Sequence, residues 1–244
     1  MKIRALLVGF ALMALGALPA TAAVSLVGYV EFGESGLTAA IPDNNLAGMA
    51  RSVTVSGIEL KAPYVVTVSM KIVGTGYGAW NGDYYADLRH VSTDGTVTDL
   101  AVLLNRPGRS SSLGSGYSDN GMDITLSDSA ATDIHNYRIE FPGGNNNPIG
   151  AMLTGTWQAD GRNVSPLTVL DTSLRTTTLN GLGMGSPNGT WTLFIADAKA
   201  GGTGQLTDWK VTMQGVPEPS SASLLILGLA AVLARRRRCR RSAV

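Results

Sequence analysis

The sequence predicts an all-β fold, a jelly-roll-like antiparallel β-sandwich carried between two short terminal segments. Three observations predict it. First, Tyr64–Val73 (YVVTVSMKIV) alternates: Val66, Val68, Met70 and Ile72 fall on one face, and Thr67, Ser69 and Lys71 on the other. Period two with one apolar face marks a half-buried antiparallel strand. Second, turn-forming pairs recur along the chain, at Asn81-Gly82, Asp94-Gly95, Asn120-Gly121, Asn180-Gly181 and Asn188-Gly189. Such pairs tolerate the backbone angles of tight turns between short strands. Third, Gly, Thr, Ser, Val, Asn and Asp dominate the middle of the chain, and no long amphipathic helix competes there, as expected of a sandwich or jelly roll.

The N-terminal segment reads MKIRALLVGFALMALGALPATAA. Lys2 and Arg4 are followed by an apolar run from Ala5 to Leu18, a break at Pro19 and the small residues Ala20-Thr21-Ala22. That is the pattern of a secretory signal peptide over residues 1–22. A membrane anchor is the alternative, but the run is shorter than the ~20 residues a span requires. Residues 23–36 are read as a lead-in and 37–216 as the sandwich. Further strands are expected at Ser52–Leu60, Asn136–Phe141, Thr190–Asp197 and Asp208–Gly215. Trp191, Leu193 and Ile195 alternate on one strand, Trp209, Val211 and Met213 on the next. Two such faces can close one core, with the Gly-rich loop between them turning the chain.

The C-terminal segment, 217–244, has three parts: Pro217-Glu218-Pro219, an apolar stretch from Ser220 to Ala234, and a basic block containing Arg235, Arg236, Arg237 and Arg238. As a helix, the stretch reaches about 22 Å at ~1.5 Å per residue, a marginal span of a ~30 Å hydrocarbon core. The arginines would remain cytoplasmic. An ordinary single-span anchor fits these parts. Their order and spacing at the C-terminus also resemble the PEP-CTERM sorting signal of Gram-negative bacteria. That resemblance implies a transient inner-membrane precursor, cleavage near Pro-Glu-Pro by an exosortase after signal peptidase has acted, and delivery to the cell surface or the extracellular space.

Removing both terminal segments changes the charge balance. With residues 1–22 and 220–244 removed, all eighteen acidic residues remain but only eleven basic ones, a net charge of −7 against +1 for the whole chain. An acidic exported domain repels phosphate, so nucleic acid is excluded as a partner. The single cysteine, Cys239, lies in the basic tail, leaving the exported part without disulfide, thiolate metal site or cysteine nucleophile. His90 and His135 are the only histidines; both are read as surface or hydrogen-bonded structural residues, and two histidines without cysteine disfavour zinc. No G-x-S-x-G elbow occurs. GLGMGSP (Gly181–Pro187) lacks the strand–turn–helix context of a phosphate loop.

Calcium is the expected cofactor if there is one, because it takes six to eight oxygens from loop carboxylates and carbonyls. Asp43, Asp83, Asp87 and Asp197 are the candidate ligands; aspartates at turns capping their own backbone are the alternative. Tyr77, Trp80, Tyr84 and Tyr85 lie close together among glycines. They form a candidate ligand loop, able to stack on a sugar or seat a protein partner, or else to cover the open end of the domain itself.

Asn188–Gly215 (NGTWTLFIADAKAGGTGQLTDWKVTMQG) is similar to the closing hairpin of the P domain, the P/Homo B β-sandwich that follows the catalytic domain of kexin-like and other subtilisin-type proteases. Ile41–Asn45 (IPDNN) resembles the opening of that family, and Ala86–Leu100, Asp123–Ala130 and Ser165–Thr172 resemble later pieces in the family's order. The usual His-Thr before Gly-Asp-Leu is absent, and GTGYGAWNGDYYA stands in its place. The resemblance covers about residues 37–215. It implies a β-sandwich in which some members bind calcium. It implies no catalysis, since the Asp–His–Ser triad belongs to a separate domain and only about 15–20 residues lie between the signal peptide and the P-like region. Three roles follow as expectations: a non-enzymatic interaction or structural module at the cell surface or in the extracellular matrix, a module binding exopolysaccharide, or an accessory domain of a separately encoded subtilisin-like endopeptidase.

Overall fold

The alternating stretches of the sequence form two facing sheets. The computed structural model describes residues 28–95 and 98–216. The signal peptide, Pro217-Glu218-Pro219, the hydrophobic helix and Arg235–Arg238 lie outside the described residues. Among the described residues no helix is long and apolar enough to cross a membrane.

In chain order the strands are β1 (Tyr29–Glu34), β2 (Ala39–Ile41), β3 (Asn45–Val55), β4 (Tyr64–Thr75), β5 (Tyr84–Ser92), β6 (Thr98–Asn105), β7 (Met122–Ser127), β8 (Leu153–Trp157), β9 (Gly189–Asp197) and β10 (Thr203–Gly215). One sheet runs β1-β10-β4-β7-β8, with β2 end to end with β1 along the same edge of β10. The other runs β3-β9-β5-β6. All pairings are antiparallel except β7 with β8. The result is the expected β-sandwich with one parallel edge pair.

Each sheet contributes the apolar face its alternation dictates. Val66, Val68, Met70 and Ile72 of β4, Trp209, Val211 and Met213 of β10, and Trp191, Leu193 and Ile195 of β9 are all buried. Phe32 of β1 reaches Trp191 across the layers, with ring centroids 5.6 Å apart. Both core indoles find acceptors: Trp191 Nε1 donates to Pro187 O at 2.9 Å and Trp209 Nε1 to Glu34 Oε2 at 2.9 Å, satisfying the one polar group each would otherwise strand in the core.

Three expectations change. Asn188–Gly215 is not a hairpin: β9 and β10 belong to opposite sheets. Partners in a hairpin lie side by side, whereas these two apolar faces look at each other, so the turn through Gly201-Gly202 carries the chain between layers. Asn136–Phe141 is not a strand; Ile134–Glu140 form a 3₁₀ segment whose first turn is capped by Asp133, its Oδ1 accepting from His135 N at 2.9 Å. Alternation would have buried Tyr137 and Ile139 together. Instead Arg138 is buried beside Tyr137 to reach Asp119, and Ile139 is left exposed. Finally, the stretch read as a lead-in contains β1, whose Phe32 packs into the core, so the sandwich begins before residue 37.

Candidate functional site

The four aspartates separate into two groups. Asp87 sits on the outer face of the β3-β9-β5-β6 sheet, opposite Phe194, and closes a two-pronged pair with Arg89, at 2.7 and 2.9 Å. Its candidacy as a cation ligand ends there, because both carboxylate oxygens are taken by a guanidinium.

Asp43, Asp83 and Asp197 meet at one end of the sandwich. Asp197 closes β9, opposite Tyr84 on one side and Asn45 on the other. Asp83 ends the 3₁₀ turn Asn81–Asp83 immediately before β5, and its carbonyl accepts from Ala198 N at 2.8 Å. Asp43, in the turn between β2 and β3, accepts from Gly201 N at 3.2 Å. Asp197 Oδ1 accepts from Lys199 N at 2.9 Å. Asp83 and Asp197 are each 1% exposed, and Asp83 Oδ2 and the Tyr84 hydroxyl are buried without a hydrogen-bond partner. Burial, then repulsion from Asp197, pushes the Asp83 carboxyl up to about 7. Burial, then Asp43, pushes Asp197 up to about 6. Among the described residues no group of three His, Cys, Asp or Glu side chains forms a metal cage by itself.

The aromatic quartet does not form one surface. Tyr77 is 93% exposed. Trp80 is half-buried over the glycines of the β9–β10 turn; a Cβ at Gly201 would stand 2.8 Å from its ring. Tyr84 is wholly buried in the core and cannot line an open loop. Tyr85 points the other way, outward, packing edge-to-face on Phe194 at 6.2 Å. Strand alternation explains the split, since adjacent residues of β5 must face opposite sides. Tyr85 and Phe194 line a cleft of about 370 Å³ with Leu46, Asn163, Ser165 and Pro166, a surface the sequence reading missed because Phe194 arrives from a distant strand.

A cavity of about 550 Å³ lies on the outer face of the other sheet. Both of its lysines are paired, Lys210 with Glu31 at 2.6 Å and Lys71 with Asp123 at 3.0 Å, and its Glu34 pairs with Arg51 outside it.

Both histidines are structural, as expected, but buried rather than superficial. His90 stacks on Trp191 at 4.2 Å and its Nε2 faces Asn188 O at 3.3 Å; burial pushes its pKa down. His135 holds Asp160 Oδ2 at 2.8 Å through Nδ1 and Arg109 O at 3.0 Å through Nε2. With both ring nitrogens engaged, it has none left to activate a nucleophile.

Residues 215–238 match the PEP-CTERM protein-sorting motif. The match begins at Gly215, the last residue of β10. The chain is therefore marked for export and for exosortase-type sorting to the surface or extracellular space. No curated protein matches the chain. Among solved structures it is similar to the serine protease of Aeromonas sobria, alone and in complex with its chaperone, at 15% identity and a TM-score of 0.36 in both cases. These alignments cover 78% of this chain and 26% and 27% of the respective protease chains, so the chain spans about a quarter of their length.

Proposed function

We propose that the mature protein is a non-enzymatic β-sandwich of P-domain type, acting as an interaction or structural module at the cell surface or in the extracellular matrix. The observation that carries this reading is the junction at Gly215, where the last strand of the sandwich runs directly into the sorting motif. A folded domain so placed can cross the membrane, lose its tail and remain outside. Support for the P-domain type comes from the tryptophans that β9 and β10, in opposite sheets, each bury in the core, and from the IPDN turn leading into the pairing of Asn45 with Asp197 at the end of β9. The test is mass spectrometry of both termini of the protein from its host, with cell fractionation. Expected are a new N-terminus near residue 23, a new C-terminus near Pro217-Glu218-Pro219, and loss of surface delivery when those three residues become alanine. An intact tail on surface-delivered protein would refute the sorting step.

A second reading, binding of exopolysaccharide, is favoured by the Tyr85–Phe194 cleft. Aromatic rings beside an amide and a hydroxyl suit a pyranose, which offers both apolar C–H and polar O–H groups. Retention on the host's exopolysaccharide, weakened by Tyr85→Ala and unaffected by Trp80→Ala, supports it. Co-purification with a subtilisin-like protease instead would favour the accessory-domain role.

A further inference from the structure

We propose that the Tyr85–Phe194 cleft selects a neutral hexopyranose with an apolar group at C6, a 6-deoxy sugar, and rejects uronic acids. The inference rests on the exopolysaccharide reading and adds to it the class of sugar taken. The cleft holds about 370 Å³ between Leu46 on one side and the loop through Asn163, Ser165 and Pro166 on the other. Tyr85 and Ala196 stand opposite each other in register, with Phe194 two residues along, so all three present their side chains on the outer face of the sheet. Leu46 joins them from the irregularity between Asn45 and Met49, where β3 leaves its register with β9.

The loop wall is fixed in advance although it has no regular structure. Asn105, opposite Tyr85 on β6, donates through Nδ2 to Arg162 O at 2.8 Å and to Val164 O at 2.9 Å. Behind the wall, Arg162 Nη1 pairs with Asp133 at 2.8 Å and its Nη2 donates to Asp171 O at 3.0 Å, while Arg109 Nη2 donates to Leu167 O at 2.8 Å. A site held in this way spends little binding energy on ordering itself. Asn105 is wholly buried, and its Oδ1, on the same face of the sheet as Tyr85, has no hydrogen-bond partner. A buried acceptor left open calls for a donor. A sugar hydroxyl supplies one, directly or through a bridging water.

Charge decides the class of sugar. Among the described residues no charged side chain lines the cleft. Nearby guanidiniums are engaged elsewhere. Arg89, 5.2 Å from the Phe194 ring centroid, is held by both oxygens of Asp87, and Arg109 and Arg162 are turned to the carbonyls and carboxylates behind the wall. With residues 1–22 and 220–244 removed the domain carries −7. A uronate would therefore leave water for an uncharged cleft in an acidic domain, and an unpaired carboxylate resists such burial. The lining is mostly apolar: Leu46, Val164, Pro166, Phe194 and Ala196. A methyl group packs there without loss, whereas a hydroxymethyl forfeits the partners it had in water. The amide of Asn163 and the hydroxyl of Ser165 remain for the ring hydroxyls.

The experiment places the full-length chain in detergent on immobilised exopolysaccharide from its host. It reads the part of the retention that Tyr85→Ala abolishes, because the basic tail would itself hold an acidic polymer. The competitors are methyl glycosides in matched gluco and galacto sets, whose members differ only in carrying methyl, hydroxymethyl or carboxylate at C5. Within a set the 6-deoxy sugar is expected to compete at about one-tenth of the concentration its hydroxymethyl counterpart needs. The carboxylate is expected to compete at least about tenfold more weakly than the hydroxymethyl sugar. Raising sodium chloride from about 50 to about 500 mM should change the Tyr85-dependent retention less than about twofold. Leu46→Lys, at a rim position 43% exposed, should narrow the gap between carboxylate and 6-deoxy sugar. A carboxylate that competes as well as its 6-deoxy counterpart in the parent protein would overturn the inference and leave exopolysaccharide binding standing. So would the failure of both sets to compete while Tyr85-dependent retention is intact. An unchanged gap in Leu46→Lys would overturn charge as the cause of the selection. No Tyr85-dependent retention at all would overturn the inference and the exopolysaccharide reading together.

Discussion

Replacing Asp119 by alanine tests whether the polar cluster beneath the 3₁₀ segment holds the domain together. Asp119 is buried, and its carboxylate is the shared acceptor for three donors. Tyr137 Oη donates to Oδ2 at 2.5 Å, Arg138 Nε to Oδ2 at 2.7 Å, and Ile149 N to Oδ1 at 2.8 Å. Arg138 is itself 3% exposed and lies over the Tyr117 ring at 4.4 Å, so the loss of Asp119 leaves a buried cation without its anion. Breaking a buried pair on one side costs about 3–5 kcal/mol. Each orphaned neutral donor adds about 1–3 kcal/mol where water cannot reach it. Allowing for water entering the vacated space, the expected cost is about 4–6 kcal/mol, comparable with the ~5–15 kcal/mol stability of a whole domain. Urea unfolding followed by tryptophan fluorescence measures it. Asp119→Asn keeps an acceptor for Ile149 N and should cost less. The exposed pair Lys71–Asp123, with side chains 37% and 52% exposed, is the control, and its removal should cost no more than about 1 kcal/mol. A loss below about 1.5 kcal/mol for Asp119→Ala, at unchanged m-value, would refute the reasoning.

The layers were legible because their signal is local. In β4, β9 and β10 each apolar residue recurs two positions on, and all three strands form where the alternation places them. What alternation cannot state is which sheet a strand joins, so β9 and β10 read as a hairpin although they face each other across the core. Asn136–Phe141 failed for a different reason. Its period was right, but the tertiary demand of Asp119 for Tyr137 and Arg138 overrode it. The site was half legible: residue type and turn position singled out four aspartates, and three came together. Asp87 could be removed from the set only by knowing that Arg89, two residues along the same strand, shares its face. The Tyr85–Phe194 cleft carried no local signal, since its rings are more than a hundred positions apart.

Trp191 is wholly buried between Phe32 and His90, so Trp191→Ala should destabilise by about 3–5 kcal/mol in urea unfolding. Gly189 has φ +144°, and a Cβ there would stand 2.1 Å from Val91 O; Gly189→Ala should cost more than about 1 kcal/mol by the same assay, since neither the backbone angle nor the contact can relax cheaply. The last expectation concerns pH. Asp83 and Asp197 titrate near 7 and 6 in the folded protein, above the usual 3.8 of an unfolded aspartate. Between pH 4 and 7 the folded state therefore holds more protons than the unfolded one, and stability falls as pH rises. A rise of about three units in one carboxyl corresponds to about 4 kcal/mol. His90 opposes this trend: its pKa is lowered by burial, so its contribution is lost as pH falls below about 6.5. Asp83→Asn separates the two, because it removes the larger carboxylate effect and leaves the histidine in place. The variant should gain stability relative to the parent from pH 5 to pH 8. Parallel curves for the two proteins would show that the buried carboxyl is not the source of the dependence.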